Sequence, residues 1–400
     1  MSSAIRRGLA AAFLAAALLR CGGGQAAQQD DGWIDVLVVD KPGASHYGAP
    51  HTAAPTTVPS ALIVRRVQAA AEAAGQSWQQ DPALAALAAF VLAQNHKHGS
   101  APTHEVIDFY AAHLGLMEAT PHVIRIADPD PVALERSLGA DLEQAAREFR
   151  YTHVGIAHAK RGGRDEVVVT LSRRGARLSP IPRQVPQGQT LKIQGRLVPP
   201  FQQARVLVAT PKGGIVTRST GEDQAIDVQL PLDKRGEHRI ELVAQGEHGP
   251  TVIANFPIYV GQKPPRRLRR PRRRTASMQS AADVAQGLGT MLNQTRKERG
   301  LQVLRQHPRL AVVAKDHSLD MVRSGFIGHG SPTTGSAADR VERTGLRSGL
   351  VLENIGRGYD AWQIHRGLMR SPGHRANILN PDVTHFGIGV VERQEGKGRA

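Results

Sequence analysis

The apolar residues change their period twice along this chain, and no other feature limits the possible folds as much. From Ser60 to about Glu148 the spacing is helical. "ALIVRRVQAAAEAAG" puts Ile63, Val64, Val67 and Ala71 on one face, and "DPALAALAAFVLAQN" does the same with Leu84, Leu87, Ala88 and Val91. "YTHVGIAHA" and "DEVVVTLSRR" then alternate as the two strands of a hairpin. Between Gln184 and Gly261 the period is two, in short runs divided by Gly, Pro and Asp, which predicts an antiparallel β-sandwich. After "PPRRLRRPRRR" helices return: Val284, Leu288, Met291, Leu292 and Thr295 share one face, with Gly300 at the cap position. Pro308 opens another helix with Leu310, Val313, Ala314 and His317 on one side, and Gly325 stops it. The 400 residues fit two or three domains of ~100–200 residues each.

The two mixed segments share landmarks. "DPALAALA" at 81–88 parallels "HPRLAVVA" at 307–314, and "YTHVGIAHA" at 151–159 parallels "VTHFGIGVV" at 383–391. A duplicated α/β domain flanking a β-sandwich is the architecture this predicts.

At the N-terminus, Arg6 and Arg7 precede an apolar run from Leu9 to Leu19. It is shorter than the ~20 residues a membrane span needs and fits the core of a signal peptide covering residues 1–27. The expected location is therefore secreted or periplasmic, with no transmembrane segment after removal. The single cysteine, Cys21, excludes an intramolecular disulfide. "LLRC" resembles a lipoprotein acceptor site, so a lipid anchor at Cys21 is the alternative, although Arg20 stands where a small residue is wanted. Residues 28–59 read as a linker, and 262–280 as an Arg/Pro-rich one. The seven arginines from Arg266 to Arg274 supply seven of the sixteen net positive charges. Their expected partner is an anionic envelope surface. No aromatic platform interleaves them, which argues against specific nucleic-acid binding.

Three short elements near the C-terminus carry chemistry: "GFIGHGSP" with His329, "LENIGRG" with Glu353 and Asn354, and "SPGHRANILN" with His374. Ser371 is a natural N-cap and Pro372 a natural first helical residue, so His374 falls in the first turn, where the helix end disfavours imidazolium. Two imidazoles and a carboxylate form a partial metal site, with His329 and His374 as ligands of a divalent ion such as zinc or magnesium. They equally form a metal-free polar cleft in which His329, Glu353, Asn354 and His374 bind a ligand. The gaps of 24 and 21 residues match no local metal signature.

From Leu292 to Val391 the chain resembles the CAP superfamily (cysteine-rich secretory proteins, antigen 5 and pathogenesis-related proteins; SCP domain), in its cysteine-poor bacterial branch. "LNQTRKERGL", "HPRLAVVAKDHSLDM", "GFIGHGSP", "DRVERTGL", "ENIGRG", "LMRSPGHRANILNP" and "THFGIGVV" carry the resemblance in order. It implies a C-terminal α-β-α sandwich over residues 281–400 with a central cleft, in which His329, Glu353 and His374 match three of four family cleft residues. The fourth, a second glutamate, has no match in the stretch Gly367 to Ser371. Family members also continue into one more core strand where this sequence reads "EGKGRA", so the expectation is either a sequence truncated at its last strand or a domain that closes differently. The segment 60–180 reads as a degenerate CAP-like copy, His104 matching His329 and Glu118 matching Glu353, while Leu142 stands where His374 would be. His153 and His385 read as structural, and His317 as a core residue. The leading expectation is a secreted CAP protein binding a small-molecule, lipid or cell-wall ligand in the His/Glu cleft, through a divalent metal or without one. The alternatives are a metal-dependent hydrolase, with Glu353 as catalytic residue acting on a peptide or cell-wall substrate, and a non-catalytic envelope or adhesion protein.

Overall fold

Hydroxyl or carboxylate caps start α-helices at Ser60, Asp130, Ser280, Ser336, Asp360 and Ser371. A computed structural model describes residues 12–21, 36–51, 57–98, 102–221, 224–269, 280–358 and 360–394. The chain is of mixed α/β class and divides into two units: residues 24–246 and 252–273 form one, and residues 1–23, 247–251 and 274–397 the other.

In chain order, β1 (Ala12–Cys21) belongs to the second unit and is placed below. The first unit begins with β2 (Val36–Val38) and β3 (His46–Tyr47). Then come α1 (Ala61–Ala73), β4 (Gln79–Gln80), α2 (Pro82–His98), α3 (His104–His113), β5 (His122–Asp128) and α4 (Pro131–Glu148). A hairpin of β6 (His153–Arg161) and β7 (Arg164–Ser172) completes its α/β part. Ser60 caps α1 by accepting the Ile63 N–H, and Asp130 caps α4 by accepting from Val132. The sheet has the order β4-β6-β7-β5. On one face, Ile63 and Val67 of α1 and Leu134, Leu138 and Leu142 of α4 pack on Val154, Ile156, Val167 and Val169. On the other, Leu84, Leu87 and Val91 of α2 pack on Ala157 and Val168. This is a three-layer α-β-α arrangement.

Next come β8 (Ala176–Leu178), β9 (Ile181–Pro182), β10 (Gln184–Val185), β11 (Thr190–Leu197), β12 (Gln202–Ala209), β13 (Ile215–Ser219), β14 (Ala225–Pro231), β15 (Gly236–Gly246) and β16 (Gly249–Val260). They build a five-stranded sheet, β10-β16-β15-β12-β13, and a three-stranded sheet, β14-β11-β8. Alternating residues of both sheets, among them Leu191, Ile193, Val228, Val206, Leu242 and Phe256, share one core.

The stretches read as linkers are structured in part. β3 pairs with β9, and Tyr47 is fully buried against Phe256 with its hydroxyl donating to Pro257 O at 2.6 Å. In the arginine stretch, β17 (Arg267–Arg269) pairs antiparallel with β2. Composition hid this, because two- and three-residue strands carry no readable period. The remaining arginines, from Arg270 onward, lie outside the described residues.

The second unit contains α5 (Ala281–Glu298), β18 (Arg305–Gln306), α6 (Pro308–Ser324), α7 (Ala337–Glu342), β19 (Val351–Gly358), α8 (Ala361–Arg370), α9 (Pro372–Ile378) and β20 (His385–Gln394). Its sheet has the order β18-β20-β1-β19, so part of the apolar run expected in a signal peptide stands here as a strand. Val284, Leu288 and Leu292 of α5 and Ile364 and Leu368 of α8 pack on Phe386, Ile388 and Val390. α6 lies on the opposite face, close against Gly387 and Gly389.

The shared landmarks coincide with shared geometry. A Cβ on Gly155 would stand 2.1 Å from the Leu84 carbonyl carbon, and one on Gly387 would stand 2.1 Å from that of Leu310. Thr152 Oγ1 bonds His153 Nδ1 at 2.8 Å, and Thr384 Oγ1 bonds His385 Nδ1 at 2.9 Å. Asp81 N–H donates to Val154 O at 2.9 Å, and His307 N–H to Phe386 O at 2.8 Å. In both places a helix backbone rests on a strand that has given up its side chain there.

Candidate functional site

Each side chain of the site is aimed by an element whose start the sequence encodes. Ser336 and Asp339 form a capping box that starts α7, and α7 carries Arg340. Ser371 accepts the His374 N–H and Pro372 opens α9, so His374 sits in that helix's first turn, as its sequence predicts. Glu353 and Asn354 lie side by side on β19, pointing to opposite faces.

Glu353 is the centre. Its side chain is 3% exposed, and both oxygens are taken: Arg340 Nη2 donates to Oε1 at 2.7 Å, and His329 Nδ1 bonds Oε2 at 2.8 Å. His317 Nε2 lies 3.9 Å from Oε2 and donates to Gly328 O at 2.9 Å. Burial pushes the Glu353 carboxyl up, but the His329 hydrogen bond and the neighbouring charges of His329, Arg340 and His317 outweigh it, and the group ends below the usual carboxylate range. Burial holds His317 below the usual imidazole value against the pull of Glu353. Arg340 also grips the backbone of the His329 loop, through His329 O at 3.2 Å and Gly335 O at 2.6 Å. Asp320 holds the far side of that loop by accepting from Ser331 Oγ at 2.5 Å.

His374 is tied to β19 by amides. Asn354 Nδ2 donates to His374 O at 3.0 Å, while Asn354 Oδ1 accepts from Asn377 Nδ2 at 2.9 Å. Asn377 also donates to Glu353 O at 3.1 Å. Ser371 Oγ bonds His374 Nδ1 at 2.8 Å. The ring is pushed down to about 4, first by burial and then by the charge of nearby His329. The sequence attributed a neutral His374 to the helix end; here burial has the larger part.

The structure therefore joins His329 directly to Glu353, brings His374 within reach of the His329 charge, and gives Asn354 another task. Asn354 is fully buried with both amide atoms spent inside the fold, so it positions α9 and does not present itself to a ligand. Sequence reasoning missed Arg340, His317 as a neighbour of the carboxylate, and Asn377. Arg340 had a signal, since a buried Glu353 demands a cation and "DRVERTGL" supplies one.

Among the described residues, no group of three or more His, Cys, Asp or Glu is arranged to hold a metal. With both Glu353 oxygens occupied, two imidazoles remain, fewer than the three protein ligands usual for catalytic zinc. The donor set as it stands does not fit such an ion. Among the described residues, neither His329 Nε2 nor His374 Nε2 hydrogen-bonds to a protein atom. His329 is 26% exposed. In a neutral His329 ring whose Nδ1–H is donated to Glu353, Nε2 is an acceptor.

In the first unit, Glu118 is likewise paired, with Arg174 Nε at 2.5 Å and the Met117 N–H at 3.0 Å. His104 opens α3, and Leu142 is fully buried on α4.

An α-β-α domain with a buried Glu bonded to a loop histidine, and a second histidine in the first turn of a short helix, defines the class. Residues 290–398 match the family model of the Cysteine-rich secretory protein family, CAP. The C-terminal region of this chain belongs to the CAP (SCP-domain) superfamily. Among curated proteins, the uncharacterized protein YkwD of Bacillus subtilis (strain 168) is 34% identical over 119 residues, 30% of this chain and 46% of that protein. The uncharacterized membrane protein YlbC of the same organism is 37% identical over 101 residues, 25% of this chain and 29% of its own length. The chain thus spans less than half the length of these relatives. A crystal structure of an extracellular protein containing a SCP domain from Bacillus anthracis str. Ames aligns with 55% of this chain and 83% of its own, at 18% identity and a TM-score of 0.27. No helix among the described residues is long and apolar enough to cross a membrane.

Proposed function

We propose that the C-terminal domain is a ligand-binding module of an exported protein, and that it holds its ligand through the Nε2 atoms of His329 and His374 without a catalytic metal. One observation carries this reading: Arg340 and His329 occupy both oxygens of Glu353. A carboxylate so committed orients an imidazole and is poorly placed to take a proton from water. The ligand class that fits is polar and able to pair with imidazole, such as a hydroxyl- or carboxyl-bearing lipid or cell-wall fragment. The first unit serves in this reading as a second CAP-type scaffold without the histidine pair, supported by the matching contacts at Gly155 and Gly387. The arginine stretch contributes attraction to anionic envelope polymers.

Zinc titration by calorimetry on the full chain tests the metal-free part. The expected result is no one-to-one binding that His329→Ala and His374→Ala both remove. Such binding would reinstate the metal site and, with it, the hydrolase reading in which Glu353 activates water. Side-chain NMR of the same histidines against soluble cell-wall fragments and short-chain lipids tests the ligand. Shifts confined to His329 and His374 Nε2 are expected, and histidines unmoved by either class would remove the binding reading.

A further inference from the structure

Arg296, on α5 in the stretch "LNQTRKERGL", is among the largest fully buried side chains of the chain. Among the described residues no carboxylate pairs with it. A guanidinium in the interior needs partners, and here backbone carbonyls supply them. Nε donates to Gln302 O, and Nη1 to Ile378 O and Asn380 O, each at 2.8 Å. Nη2 is buried with no hydrogen-bond partner among the described residues, so this placement has a standing cost. The Gln302 end is firm. Asn293 of α5 holds the nearby Leu304 twice, Nδ2 donating to its O at 3.0 Å and Oδ1 accepting its N–H at 2.8 Å.

Ile378 and Asn380 lie at the C-terminal end of α9. That helix has seven residues, fewer than the ~12–15 that sustain a helix alone. Its place is therefore set by fastenings. Ser371 caps one end, the Asn354–Asn377 pair ties it to β19, and Arg296 takes the other end. The positive charge there meets the negative end of the helix. Ile378 stands one turn, about 6 Å along the axis, from His374, so a slip at the clamp reaches the imidazole.

The first unit offers a contrast. There Gln76 donates Nε2 to Ala146 O at 2.7 Å and to Phe149 O at 3.0 Å, at the end of α4. α4 has 18 residues and precedes β6 as α9 precedes β20. Its Leu142 stands where His374 would be. A neutral amide suffices where the helix is long and carries no site histidine.

We propose that Arg296 is the positioning residue of His374: by clamping the C-terminal carbonyls of α9, it fixes where the imidazole at the start of that helix stands. This deepens the site of the proposed function and rests on that reading for its importance. Its test uses no ligand, so the two can fail separately.

Histidine side-chain nitrogen NMR of the full chain at neutral pH, with Arg296→Gln and Arg296→Lys, makes that test. A ring held through Nδ1 by Ser371 keeps one tautomer and two well-separated nitrogen signals. Arg296→Gln is expected to draw the two His374 signals together and to speed amide exchange in α9 at least about tenfold. The signals of His317, buried on α6, should stay in place. Arg296→Lys keeps the charge with a single donor group and should restore part of the separation. An unchanged His374 ring in a chain that is merely less stable would overturn the proposal. Loss of the His317 signals in both variants would overturn it too, assigning Arg296 to folding alone.

Discussion

At the residue scale, the site is a charge arrangement before it is a binding surface. Glu353 and Arg340 are both nearly inaccessible, so removing one partner strands the other in the interior. Glu353→Gln is expected to cost about 3–5 kcal/mol by chemical denaturation. Glu353→Gln combined with Arg340→Met should cost less than the two single changes added together, by about 1 kcal/mol or more. His374 makes a separate prediction about pH. Its folded value, about 4, lies below the usual 6.5, so between those values the unfolded chain binds the proton and the folded chain resists it. Stability is therefore complete above about pH 6.5 and falls as pH drops towards 4, by no more than about 3 kcal/mol. His374→Gln should flatten that limb of the pH–stability curve. A curve unchanged in shape would mean that His374 titrates freely.

At the element scale, the helix–sheet contact in each domain is made backbone to backbone. Gly387→Ala would drive a Cβ into the Leu310–Ala311 peptide and should cost about 3 kcal/mol or more. Gly367→Ala on α8 meets no atom within 4 Å and should instead stabilise by about 0.4–1 kcal/mol. Thermal melts of the pair separate packing from helix propensity. Much of this level was legible in the sequence. The faces of α1, α2, α5 and α6, the β6–β7 hairpin and the first turn of α9 all follow from apolar period and capping residues, which are local. What was not legible is non-local. The Arg340–Glu353 pair, the Asn354–Asn377 link and the seat of β1 join residues 13 to 373 positions apart, and no period records such meetings.

At the scale of the whole molecule, the segments read as linkers bear on stability. Tyr47 fills the sandwich core, so the fragment 36–261 should unfold at a clearly higher denaturant concentration than 60–261, and Tyr47→Ala should cost about 3–5 kcal/mol. Equal midpoints for the two fragments would restore residues 28–59 as a plain spacer. The glycine contacts also have a mechanical consequence. Where α6 touches β20 at Gly387 and Gly389 the strand puts no side chain between them, so that layer has few rotamers to rearrange and little free volume to give up. The opposite layer, where α5 and α8 meet β20 through Phe386, Ile388 and Leu368, has both. Squeezed by hydrostatic pressure, the C-terminal domain should yield on one side only. The α6–β20 plate, carrying His317 and Asp320, would act as the rigid wall against which the loop of His329 and the helix of His374 adjust.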